Sequence, residues 1–220
     1  MRTVLKHIVQ HTYRPLLIRY LGKTRKYSYD NIHLQIPPQV FHPGFFTSTH
    51  LLLEYISDFT LAGKRLLELG AGSGLIAMHA ARKGAAVTAT DINPIAIEYL
   101  YKNSNANNLS LEIIQSDLFA EIKPETYDII AINPPYYKKN PVTAADHAWY
   151  CGENGEYFQQ LFKGLKNYMG SQSEVLMVCC DGCDLRMIED SAAAAGFNLQ
   201  CMLIKPTLLE KNFIFKITQR

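Results

Sequence analysis

The chain has 220 residues with 48% hydrophobic and 19% charged residues and a formal net charge of +2, the composition of one globular domain with a sizeable core. No apolar run approaches the roughly 18 residues of a membrane span, so a membrane-embedded function is not expected. The five cysteines are an odd set, and the single C-x-x-C (Cys180, Cys183) has no second pair or histidine cluster to complete a zinc site, so reduced thiols, a cytoplasmic location and no metal are expected.

Charge is unevenly placed. Residues 1–40 carry seven Lys/Arg (Arg2, Lys6, Arg14, Arg19, Lys23, Arg25, Lys26) against Asp30 alone, a net +6, while the remainder carries 15 against 19 acids. A basic extension over 1–40 on a mildly acidic body over 41–220 either steers an acidic partner such as nucleic acid or forms a solvated helical face. The N-terminus lacks a small-residue cleavage site, so no secretory signal is expected.

In chain order, Val4, Leu5, Ile8 and Val9 have helical spacing that Pro15 interrupts. Tyr27 to Ile36 reads as extended or looped, ending at Pro37-Pro38. Thr49 is the expected N-cap of a helix through Leu51–Ile56 that leads to a turn at Gly63. From there strand and helix signals alternate. Strands are expected over 65–69, 86–90, 111–115, 127–132 and 174–180, and helices over 75–83, 94–105, 156–168 and 185–195, the second capped by Asn93 with Pro94 at its first position. Two further strands, 197–204 and 213–218, follow without an intervening helix and so form an antiparallel edge pair. Continuous apolar strands alternating with helices predict an α/β, Rossmann-like, doubly wound sheet, mostly parallel and covered on both faces.

Two segments carry the chemistry. Glu68-Leu69-Gly70-Ala71-Gly72-Ser73-Gly74 stands where the first strand of this alternation turns into a helix, and glycines there admit positive φ and close approach of a ligand. Asp91 follows Gly70 by 21 residues, at the end of the next strand, placed for the two hydroxyls of a ribose. A dinucleotide fingerprint would need glycine at position 75, which is Leu75, and no phosphate loop is present. Glu68 and Asp91 would repel phosphates and suit a cationic, phosphate-free nucleoside, of which S-adenosylmethionine is one. The second segment, Asn133-Pro134-Pro135-Tyr136, ends an apolar strand. Proline fixes φ and cannot donate to a ladder, so the Pro134 carbonyl is held off the sheet as an acceptor. The Asn133 side-chain oxygen is a second acceptor, and Tyr136 offers a flat face. Two acceptors beside a stacking surface suit a planar NH2 group.

The ordered set E-x-G-x-G-x-G, Asp91, Ser116-Asp117 and N-P-P-Y resembles the class I S-adenosylmethionine-dependent methyltransferases over about residues 37 to 218, whose sheet has seven strands. The resemblance implies S-adenosylmethionine as cofactor, with Gly70, Ala71, Gly72 and Gly74 bordering its methionine part and Glu68 near its ammonium. It also implies Asp91 on the ribose, Ile92 and Leu118 on the adenine ring, and Asp117 on the adenine amino group, or capping a helix. Asn133, Pro134 and Tyr136 would carry the methyl transfer, with Asn133 also near the cofactor and Pro135 against the substrate. The segment 41–49 resembles the lead-in of N-P-P-Y enzymes. It departs from the usual proline-and-acid form, leaving the roles of Thr47 and Thr49 open and His42 structural.

Three functional readings follow, small-molecule acceptors being uncommon among N-P-P-Y enzymes. Trp149-Tyr150-Cys151-Gly152-Glu153-Asn154-Gly155-Glu156 resembles a segment of the release-factor glutamine methyltransferases, with Cys151 in place of the first of two glycines, so a glutamine in a protein partner is the favoured acceptor. The basic first forty residues, with Lys138-Lys139 beside two tyrosines, fit an adenine-N6 or guanine-N2 acceptor in RNA or DNA. A non-catalytic scaffold is the third, against which the intact glycine turn and N-P-P-Y both stand.

Overall fold

A computed structural model describes residues 19–207 and 210–220. The helical pattern expected around Val4–Val9, the break at Pro15, and Arg2, Lys6 and Arg14 of the basic extension lie outside the described residues.

Nine strands and five α-helices are described. A hairpin comes first, β1 (Arg25–Tyr29) and β2 (Ile32–Ile36), followed by α1 (Thr47–Ser57). The alternating region is β3 (Arg65–Leu69), α2 (Leu75–Arg82), β4 (Ala86–Asp91), α3 (Pro94–Ala106), β5 (Glu112–Gln115) and β6 (Tyr127–Ile132). It continues through α4 (Glu156–Leu165), β7 (Met169–Cys180), α5 (Leu185–Ala194), β8 (Phe197–Pro206) and β9 (Lys211–Gln219). The main sheet has seven strands in the order β5-β4-β3-β6-β7-β9-β8. Strands β3 to β7 run parallel, while β9 pairs antiparallel with both β7 and β8. The expected doubly wound α/β sheet with an antiparallel edge pair is the observed one.

Period-two alternation divides the core between the sheet's two faces. Leu66, Ile129, Ala131, Leu176 and Val178 face one layer, with α1, α2 and α3. Leu67, Leu69, Ile130, Ile132, Val175 and Met177 face the other, with α4 and α5. Because both faces are dry, the strands read as continuous apolar runs.

Three elements differ from expectation. Thr49 does not cap α1: the helix begins two residues earlier, Phe46 is its N-cap with no side-chain bond, and Thr49 lies in the first turn. Helix α4 stops at Leu165 because Tyr168 is drawn to the loop after β5, where its hydroxyl donates to the Ile122 carbonyl at 2.8 Å and its ring stacks on Phe119. Strand β7 accordingly begins at Met169 and shifts register between Tyr127 and Ile129.

The extended stretch Tyr27 to Ile36 is a hairpin whose two turn residues, Asp30 and Asn31, have φ of 46° and 61°, as a tight primed turn requires. Ile32, Leu34 and Ile36 are buried in the same core as α1 and α2, so packing runs continuously across residue 40. The free edge of β2 is paired by side chains. Asn103 on α3 accepts from Gln35 N and donates to Gln35 O, and Asn107 does the same with His33, at 2.7–3.1 Å. Two amides one helical turn apart thus substitute for a neighbouring strand. This clamp, with Asn93 Nδ2 donating to the Gln39 carbonyl at 2.9 Å, lays residues 39–41 over the carboxyl edge of the main sheet.

Candidate active site at the carboxyl edge of the sheet

A cleft open to solvent lies where β3, β4, β5 and β6 end. Its floor is the glycine turn. Gly70, Gly72 and Gly74 have φ of 68°, 53° and 81°, a conformation side chains rarely adopt. Gly70, Ala71 and Gly72 line the cleft. Gly74 stands behind its wall as the N-cap of α2, where an added Cβ would lie 2.5 Å from Leu100 Cδ2. Its need for glycine comes from close packing on α3 as much as from backbone conformation.

Both expected carboxylates line the cleft. Glu68 is buried, with Oε2 accepting from Ala77 N in the first turn of α2 at 2.7 Å. Burial, opposed by that hydrogen bond and reinforced by Asp91, pushes its carboxyl up to about 8. Asp91 accepts from Gly72 N through Oδ2 and from Asn93 N through Oδ1, both at 2.8 Å, so it holds the turn that it faces. Burial raises its carboxyl as well, against these two bonds and the nearby His147.

The raised Glu68 has a thermodynamic signature. Between the ordinary value of 4.5 and about 8, the folded chain keeps a proton that the unfolded chain has released. Stability of the ligand-free protein therefore falls as pH rises through that window and levels off above it. Glu68→Gln keeps an acceptor for Ala77 N and removes the titration. Its melting temperature is expected to vary less between pH 5 and pH 8 than that of wild type. Parallel curves from scanning fluorimetry would sink the assignment.

Ile92, Asp117 and Leu118 line the cleft beyond the ends of β4 and β5, and Asn133, Pro134, Pro135 and Tyr136 line it beyond the end of β6, on the other side of β3 in the sheet. No helix follows Asp117, which sits in a turn where Ser116 Oγ donates to the Leu118 carbonyl, so a helix-cap role is ruled out. Asn133 is half-buried, and its Nδ2 donates to Thr49 Oγ1 at 3.1 Å and to Ser48 Oγ at 3.4 Å. Among the described residues no hydrogen bond reaches the Pro134 carbonyl. Burial pushes the Tyr136 phenol far above its ordinary value, so it remains protonated at neutral pH.

The open roles of Thr47 and Thr49 separate here. Thr49 lines the cleft, whereas Thr47 accepts from Asn212 Nδ2 of β9 at 3.0 Å. His42 is buried, accepts from Gly44 N through Nδ1 and packs on Tyr27 and Phe45, a structural role as expected.

Phe41, His147, Trp149 and Tyr157 are among the lining side chains with no role assigned from sequence. The chain after Tyr136 doubles back, with Tyr137 N donating to Trp149 O and Cys151 N donating to Tyr137 O, which brings Trp149 over the opening. There its ring lies 5.2 Å from Phe41 and 5.1 Å from Phe46. The available signal was the chain's sole tryptophan, standing in a loop after the N-P-P-Y motif. Of the neighbouring glycines, Gly152 has φ of 90° and is packed against Glu156, while Cys151 is buried in the core. Cys180 and Cys183 are free thiols with Sγ atoms 3.8 Å apart, and no cluster suited to a metal ion occurs among the described residues. No described helix is long and apolar enough to cross a membrane.

The cleft walls include three acidic side chains, Glu68, Asp91 and the exposed Asp117, and no Lys or Arg to pair with a phosphate, which fits a cationic, phosphate-free nucleoside. Comparison with known proteins agrees. The family model for the methyltransferase small domain matches residues 32–150, spanning the glycine turn, Asp91 and the N-P-P-Y motif. A protein of Methanocaldococcus jannaschii, provisionally named as a protein N5-glutamine methyltransferase, is 32% identical over 146 residues, 64% of this chain and 72% of that protein. A ribosomal protein L11 methyltransferase of Deinococcus radiodurans is 34% identical over 119 residues, 51% of this chain and 43% of that protein. The fold is shared with the Thermus thermophilus 16S rRNA N2 G1207 methyltransferase in complex with AdoMet and guanosine, at a TM-score of 0.66 and 19% identity, over 90% of this chain and 50% of that one. The chain therefore belongs to the methyltransferase small domain family and is an S-adenosylmethionine-dependent methyltransferase.

Proposed function

We propose that this enzyme methylates the nitrogen of a planar NH2 group, and that the acceptor is the side-chain amide of a glutamine in a protein. The observation that supports the first part is that Asn133, Pro134, Pro135 and Tyr136 line one cleft with Asp91 and Asp117.

When bound, S-adenosylmethionine supplies an activated methyl group on a positively charged sulfur. Glu68 would face its ammonium, and this cation would draw the Glu68 carboxyl back down into its ionised form. Asp91 would take the two ribose hydroxyls with the lone pairs that Gly72 N and Asn93 N leave free. Ile92 and Leu118 would enclose the adenine, with Asp117 accepting from its amino group. Gly70, Ala71 and Gly72 would admit the methionine part at close range.

The acceptor nitrogen is a poor nucleophile because its lone pair is delocalised. Asn133 Oδ1 and the Pro134 carbonyl would accept its two N–H bonds, orient the lone pair toward the sulfonium, and stabilise the positive charge that grows on nitrogen. Tyr136 and Pro135 would pack on the flat group, Tyr136 contributing on the order of 1 kcal/mol. Because its phenol stays protonated, Tyr136 serves as a surface and not as a base. The proton leaves after transfer, to solvent or a carbonyl.

The glutamine reading is supported by the M. jannaschii relative and by the engagement of the two lysines beside the catalytic loop. Lys138 lies 3.2 Å from Asp184, and Lys139 sits over the Tyr150 ring. A base in RNA is the alternative, supported by the shared fold of the guanine-N2 enzyme. Incubation with tritiated S-adenosylmethionine and whole lysate, with and without nuclease, decides between them. Label retained in a protein band after nuclease treatment is expected. Label lost with the nuclease would replace glutamine by a nucleobase.

A further inference from the structure

We propose that Thr49, assisted by Ser48, is a positioning residue for methyl transfer: the two hydroxyls take up the Asn133 amide nitrogen, so that the amide oxygen is the end presented to the acceptor. This rests on the reading of Asn133 given above and extends it to the residues that decide how its amide is turned. An asparagine amide has a donor end and an acceptor end of nearly equal size, and a half-turn about its last bond exchanges them. With the donor end outward, an incoming NH2 group would meet N–H against N–H. Asn133 Nδ2 has two hydrogens, and two hydroxyls lie within reach, Thr49 Oγ1 at 3.1 Å and Ser48 Oγ at 3.4 Å. Both residues are buried, at 7% and 4% exposure, so bulk water does not readily substitute for them. Their platform is firm. Leu51, Leu52 and Leu53 of α1 lie in the core, and Thr47, the preceding residue, is tied to Asn212 of β9.

The test uses full-length protein labelled with 15N at asparagine, with the Asn133 side-chain signals identified by their loss in Asn133→Asp. In wild type the Asn133 NH2 is expected to exchange slowly. Thr49→Val, which keeps the shape and removes the hydroxyl, is expected to speed that exchange by about tenfold and to slow methyl transfer to nuclease-treated protein extract by a similar factor. Thr49→Ser should restore both, and S-adenosylhomocysteine should bind all three proteins within about twofold by calorimetry. The proposal is overturned if Thr49→Ser is as impaired as Thr49→Val, since the methyl group and not the hydroxyl would then matter. It is equally overturned if cofactor affinity falls in step with transfer, which would make Thr49 a cofactor ligand. A freely exchanging Asn133 amide in wild type overturns it without recourse to a variant that may not fold. Transfer surviving in Asn133→Ala would instead remove the acceptor reading and leave the amide measurement intact.

Discussion

Asn133→Ala is expected to lower the rate constant of methyl transfer by about a thousandfold while S-adenosylhomocysteine binds within about twofold of wild type. The asymmetry follows from where the interaction acts. On the proposed reading the Asn133 oxygen accepts from an N–H whose positive charge develops only as the new C–N bond forms, so its loss would raise the barrier far more than it weakens the ground state. The Pro134 carbonyl remains in the variant, which is why the loss is not complete. The variant also releases Ser48 and Thr49, whose hydroxyls accept from the Asn133 amide. A small melting-temperature change is therefore expected and should be measured alongside. Turnover at the wild-type rate would show that the reacting nitrogen is held elsewhere.

The second large effect is expected at Asp91. Asp91→Ala should weaken S-adenosylhomocysteine binding by about two to three orders of magnitude, because the two charge-assisted contacts to ribose hydroxyls proposed for it would be lost together. It should also destabilise the ligand-free protein by about 1–3 kcal/mol, since Gly72 N and Asn93 N each lose an acceptor at 2.8 Å. Asp91→Asn retains one oxygen and is expected to lie between the two in both measurements. Calorimetric titration gives the affinity and chemical denaturation the stability. Unchanged affinity in Asp91→Ala, with the stability loss present, would confine Asp91 to holding the turn and remove it from the ligand site.

These two residues were legible in the sequence because their positions follow from chain direction. In a parallel sheet every strand delivers its last residues to the same edge. Glu68 and Asp91 end adjacent strands, and Asn133 follows the neighbouring one, so reading the strands correctly was enough to bring them to one cleft. Helix ends were less legible. Asn93 and Pro94 are local signals, and α3 begins where they predict. Thr49 has the chemistry of a cap, but its hydroxyl is spent on a residue 84 positions away. The end of α4 was likewise decided by the distant bond from Tyr168 to Ile122, which no local propensity encodes.

By itself, then, the sequence determined the alternation of strands and helices, the two-faced core, the turn that only glycine favours, and the residues that stand at the strand ends. Each of these depends on periodicity or on backbone conformation within a few residues. The tertiary structure alone decided that Asn103 and Asn107 bind the edge of β2, that this carries Phe41 across the cleft to meet Trp149, and that the first turn of α1 supplies the partners of the Asn133 amide. Those contacts join residues far apart in the chain, and they exist only after hydrophobic burial has set the layers against one another. A hydrogen bond between distant side chains leaves no period for the sequence to show.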